Sequence, residues 1–268
     1  MSDSTRLAAI PQALNDAHTQ ALALCDIAKA QASAGNVAGA KVTFGEAKQS
    51  ASTIEYVGDR NEALSRIAQA EAKAGEVAGA KQTAATIEAI YTQASALSGI
   101  GEAQARAGDV AGAKETFSEV ARIVATMDDA DDRSDALLFV NLQVMALAEA
   151  GDFVGARQGA ATIADASDRA GALCCIAQAQ AEEGYIGAAR ATFSEAKQVA
   201  AMVKDADSRA YVLRSIAEAQ ADAGDFIGAS DTIVSISDAG AKAITLAHLA
   251  TAILDAAQEE SDAENGAA

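Results

Sequence analysis

Six short stretches led by glycine recur along this chain of 268 residues: GNVAGA (35–40), GEVAGA (75–80), GDVAGA (108–113), GDFVGA (151–156), GYIGAA (184–189) and GDFIGA (224–229). Repetition on this scale fixes the kind of fold available. Each repeat is one small supersecondary unit that buries its apolar face only by stacking on its neighbours. The intervals between successive leading glycines run long, short, long, short, long. Fifteen residues before five of the glycines stands a marker, Arg or Gln, followed by Leu four residues on, Ile seven on and Ala or Gly eight on. This pattern reads QALALCDIA from Gln20, RNEALSRIA from Arg60, QASALSGIG from Gln93, RAGALCCIA from Arg169 and RAYVLRSIA from Arg209. A weaker copy, KAITLAHLA from Lys242, closes the series with Ala257 where the glycine would stand. Around Arg133 the segment carries three extra residues.

Leu and Ile at this spacing make an apolar stripe on a helix, here helix A, and the small residue after Ile lets a neighbouring helix approach closely. The glycine is the expected left-handed residue that ends helix A. The Asn, Glu or Asp at 36, 76, 109, 152 and 225 is placed to cap the next helix, B, which starts near Val37, Val77, Val110, Phe153, Ile186 and Phe226. Helix B carries alanine at 40, 80, 113, 156, 189 and 229. Acidic turns, GDR (58–60), DDADDR (128–133), ASDR (166–169) and DADSR (205–209), lead into the next helix A.

Units with Phe44, Phe117 and Phe193 nine residues past the glycine are the long ones, whereas the short units have Ala84, Ala160 or Ile233 there. Seven extra residues are two helical turns, about 10.5 Å, and keep the helix face in register. Alternate B helices are therefore expected to project by two turns and to line up along one edge. The true period is a double unit, one long and one short, as from Gly35 to Gly108 or from Gly75 to Gly151.

Composition agrees with helices throughout. Alanine makes up more than a quarter of the chain, and there is one proline and no tryptophan. Alanine favours helix over strand, and no β-branched strand runs are present, which excludes sandwiches, barrels and α/β enzymes. With 38 acidic against 20 basic residues and a net charge of −18, the chain lacks the basic clusters that read phosphates, so no nucleic-acid partner is expected. No membrane is expected either, because no stretch approaches about 18 strongly apolar residues, and residues 1–20 lack a signal-peptide core. A cytoplasmic location is the expectation. Cys25, Cys174 and Cys175 do not make a disulfide framework.

The pattern resembles the tetratricopeptide repeat family and its Sel1-like relatives over roughly residues 20–257. In the unit at Arg169 the matching positions are Leu173, Ile176, Ala177, Gly184, Ile186, Ala189 and Phe193. The departures are the absence of Trp or Tyr at the large helix A positions, the absence of a proline ending helix B, and the length of the long units. The resemblance implies an all-α, right-handed α-solenoid of about seven antiparallel helix hairpins with alternating short and long repeats. One domain is expected over 1–257, with an acidic disordered tail over 258–268. The resemblance also implies a concave groove lined by the A helices that binds a peptide or protein. Carried over position by position, its lining is Asp26, Lys29, Arg66, Gln69, Lys73, Glu102 and Arg106, then Glu149, Cys174, Gln178, Glu182, Tyr211, Arg214, Glu218 and Asp222. This groove is mixed to basic in its first half and mainly acidic in its second. Residues 1–134 hold 18 acids and 12 bases, and residues 135–268 hold 20 and 8.

No catalytic constellation, metal site or cofactor is expected. Only His18 and His248 could serve a triad or a zinc site. Adjacent helical cysteines point about 100° apart and lack a second ligand pair nearby in sequence. The glycines match no phosphate loop, and the segment holding Asp131 and Asp132 lacks the glycine and terminal glutamate of a calcium loop. Arg60, Arg133, Arg169 and Arg209 are expected to pair with acids or carbonyls at unit boundaries. The expected function is a non-enzymatic scaffold or adaptor. The alternatives are a self-assembling structural protein forming homo-oligomers and, third, a metal or small-molecule carrier using Cys174 and Cys175.

Overall fold

The computed structural model describes residues 16–126 and 130–266, with side chains described for 16–126 and 138–258. Among them are thirteen α-helices and no strand. The A helices are α1 (Ala17–Ser33), α3 (Val57–Lys73), α5 (Ile90–Arg106), α7 (Ala130–Glu149), α9 (Ala166–Glu182), α11 (Ala206–Asp222) and α13 (Ala239–Gly266). The B helices are α2 (Val37–Ser52), α4 (Val77–Ala84), α6 (Val110–Val124), α8 (Phe153–Ala161), α10 (Ile186–Ala200) and α12 (Phe226–Val234). Each B helix starts at the residue expected from the repeat. Their lengths alternate as the spacing requires: 16, 15 and 15 residues for α2, α6 and α10, against 8, 9 and 9 for α4, α8 and α12.

The chain divides into two compact units, residues 1–146 and 147–268. In the first, α1, α3 and α5 pack in order, and α2, α4 and α6 each lie on the A helix before them. In the second, α9, α11 and α13 pack in order, α8 and α10 lie against α9, and α12 lies against α11.

Every A-to-B turn is the same. The six repeat glycines have φ between 73 and 86°, the left-handed region that other residues enter at a cost. The glycine N–H donates to the carbonyl three residues back, and the next N–H donates to the carbonyl five back. At Gly108 these bonds run from Gly108 to Ala105 and from Asp109 to Gln104, both at 2.9 Å.

The caps are less uniform than the glycines. Asn36, Asp109 and Asp152 accept from the N–H three residues on, as expected. Glu76 and Asp225 make no side-chain cap bond. Their carboxylates face the previous B helix instead, with Lys41 Nζ 3.0 Å from Glu76 Oε2 and Arg190 Nε 3.1 Å from Asp225 Oδ1. The basic residue in each pair stands six past its glycine, and the acid one past the next glycine. The series starts with uncharged Asn36 and ends with uncharged Ser230.

A second recurring contact joins helix A to helix B. Thr116, Thr192 and Thr232 donate to Oε1 of Gln104, Gln180 and Gln220 at 2.6, 2.8 and 2.6 Å. All six side chains are buried. In α3 the glutamine is replaced by Glu71, which accepts from Thr83 at 2.6 Å and lies 2.7 Å from Lys48 Nζ. Where Leu147 takes the glutamine position, Gly159 takes the threonine position, so the polar partners disappear together.

Three features differ from the expectations. The acids of GDR, ASDR and DADSR do not form separate turns before helix A. Asp59, Asp168 and Asp207 lie in its first turn, where the helix dipole favours negative charge, and Asp205 is an N-cap that accepts from Ser208 N at 2.7 Å. Beyond 258, where a disordered tail is expected, α13 continues as far as Gly266, in keeping with the Ala, Gln and Glu content there. Cys174, expected in the groove, is buried. The side chains of Asp131, Asp132 and Arg133 lie outside the described residues.

Candidate functional site

The stripe that packs helix A also decides what is left outside. Four residues past each marker, Leu24, Leu64, Leu97, Leu173 and Leu213 are buried. Eight past, Ala28, Ala68, Gly101, Ala177 and Ala217 are buried. Nine past, Lys29, Gln69, Glu102, Gln178 and Glu218 are exposed or half-buried, and thirteen past, Lys73, Arg106, Glu182 and Asp222 are exposed. The A helices of each unit therefore present a polar face.

In the first unit Lys29 pairs with Asp26 at 3.1 Å, and Arg106 pairs with Glu102 at 2.5 Å. Gln69 donates to Ser65 Oγ at 3.3 Å. Arg66 and Lys73 are exposed on α3. In the second unit Gln178 and Glu182 of α9 and Asp222 of α11 come together around a shallow recess of about 210 Å³, floored by Ala181, Ala219 and Ala223. Arg214 lies 5.3 Å from the centre of the exposed Tyr211 ring and 3.6 Å from Glu218. His248, on α13, lies 2.8 Å from Asp222 Oδ1. Glu149 is exposed near the end of α7 and is not part of that recess.

Burial also governs the cysteines, and pushes the Cys25 thiol up to about 11. Burial pushes the Cys174 thiol up to about 12 and also raises Cys175. Among the described residues no group of three or more His, Cys, Asp or Glu side chains is arranged to hold a metal ion. No helix among them is long and apolar enough to cross a membrane.

Clefts on the B-helix side are not among the sites expected from the sequence, and two of them run over a boundary arginine. In the first unit a cleft of about 440 Å³ runs between α2 and α4 over Arg60 and Leu64. In the second a cleft of about 560 Å³ runs between α8 and α10 over Arg169 and Leu173. Each pairs a long B helix with a short one, so the two missing turns leave the floor of helix A uncovered. The length alternation is their signal in the sequence. Of the boundary arginines, Arg60 donates to Ile54 O at 2.9 Å and to Glu88 at 2.7 Å, and Arg209 donates to Val203 O at 2.8 Å, as expected.

No protein-family model matches the chain, and no curated protein matches it. Among solved structures the chain is similar to the crystal structure of Ton1535 from Thermococcus onnurineus NA1, at 18% identity over 92% of this chain and 83% of that one, with a TM-score of 0.38. A likeness of that degree carries no argument about function. On its own residues the chain is an all-helical, repeat-built protein.

Proposed function

We propose that the helix pairs stack as antiparallel hairpins in a right-handed, tetratricopeptide-like solenoid, and that the chain is a cytoplasmic, non-enzymatic scaffold. Its ligand is an extended or helical protein segment laid along the A helices. One observation supports this reading: neighbouring A helices repeat the same division between buried Leu and Ala and outward polar residues, giving an ordered surface that needs no rearrangement to bind. Arg66 and Lys73 favour acidic residues in the segment, and the recess at Gln178, Glu182 and Asp222 favours a basic one. Reversing Arg66 and Lys73 to glutamate is expected to weaken a partner identified by co-purification at least about tenfold in a titration with purified proteins. Unchanged affinity would sink the reading.

A second reading, self-assembly, draws on α13. Leu246 occupies the position of the buried helix A leucines yet is 49% exposed, and Ile253, seven residues on and on the same side of the helix, is 44% exposed. If copies meet through this face, light scattering shows a concentration-dependent dimer that Leu246→Glu abolishes. A monomer at every concentration rules this out. Nothing in the cysteine environment supports a carrier.

A further inference from the structure

The cleft between α8 and α10 differs from its counterpart in how its arginine is used. Arg60 and Arg209 each donate to the backbone carbonyl six residues earlier. Arg169 occupies the same repeat position, but its Nε is buried with no hydrogen-bond partner, and its Nη2 meets the thioether of Met202 at 3.8 Å. A thioether is a weak acceptor for a guanidinium. The second arginine of the cleft is already committed, since Arg157 donates to Thr192 Oγ1 at 3.0 Å and pairs with Glu195. Arg157 and Glu195 cancel, so the lining keeps one net positive charge, that of Arg169. Val154, Leu173 and Val199 supply apolar walls. The volume falls within the range of about 300–1,000 Å³ common for small-ligand sites.

From this arrangement we infer that the cleft binds a monocarboxylate carried on an apolar chain, with the carboxylate on the Arg169 guanidinium and the chain against Val154, Leu173 and Val199. Planar, forked N–H groups match a carboxylate. A single net charge suits a monoanion better than a phosphate dianion. The carboxylate belongs either to a free aliphatic acid or to the C-terminus of a peptide. The inference concerns the B-helix side and does not depend on the A-helix reading.

The test is a titration followed by proton–nitrogen correlation spectra, using the Nε–H resonance that Arg169→Gln removes. Hexanoate is expected to shift that resonance saturably in the wild-type protein, and hexanamide is not. Arg169→Gln, with helix content unchanged by circular dichroism, is expected to weaken hexanoate binding at least about tenfold, the loss of a charge-assisted hydrogen bond. Arg209→Gln, outside the cleft, leaves the affinity unaltered. An acetylated Ala-Leu-Leu peptide with a free carboxylate, compared with its amide, separates the sources: tighter binding than hexanoate assigns the site to a chain terminus, and weaker binding assigns it to a free acid. No shift with hexanoate, an equal shift with hexanamide, or full affinity in Arg169→Gln would overturn the inference. The wild-type comparison of acid with amide holds even if the variant fails to fold.

Discussion

Lys48→Met is expected to destabilise the protein by about 3 kcal/mol, because it leaves the Glu71 carboxylate buried without its cation. The Glu71 side chain is 4% exposed, and Lys48 Nζ lies 2.7 Å from it. Lys48 itself is 34% exposed, which places the effect at the lower end of the range for breaking a buried pair. The repeat supplies its own rescue. Gln104, Gln180 and Gln220 stand where Glu71 stands and satisfy the equivalent threonines without a charge. Glu71→Gln is therefore expected to cost less than about 1 kcal/mol, and the Lys48→Met, Glu71→Gln double variant to recover most of the loss. Urea unfolding of the four proteins checks this. A single Lys48→Met as stable as the wild type would show that Lys48 does not hold the carboxylate.

Phe193→Ala is expected to cost about 3–5 kcal/mol, the loss for removing a fully buried ring from a core that cannot collapse around the gap. Phe193 is 1% exposed, and Phe44 and Phe117 are equally buried at the same position of the other long B helices. The short helices α4 and α8 carry Ala84 and Ala160 there, also buried, so their surroundings already close on a methyl group. The converse change, Ala160→Phe, is expected to cost about 1–3 kcal/mol by overpacking. If Phe193→Ala is nearly neutral in denaturant unfolding, ring size and helix length are not linked.

Much of the local structure is legible in the chain. The glycines mark every A-to-B turn because that residue alone enters the left-handed conformation cheaply, and the residue two places on starts each B helix. The seven-residue difference in spacing reappears as helix length. The threonine and glutamine contacts escape a reading of hydropathy although their positions are fixed, eight after and four before the glycine, because a buried polar pair has no apolar signature. Cap chemistry is only partly readable: Asp225 looks like Asp109, but Arg190 on the neighbouring helix captures it. The outward positions of helix A follow from periodicity. Which charges on that face neutralise one another, as Arg106 and Glu102 do, depends on rotamers that spacing does not fix.

The alternation of long and short B helices sets how such a chain can grow. Deleting one short unit would bring two Phe-bearing helices side by side and remove a cleft, whereas deleting a short unit together with its long neighbour restores the original order. Length variants that still fold are thus expected in steps of the double unit, which makes the pair of hairpins, and not the single hairpin, the heritable module.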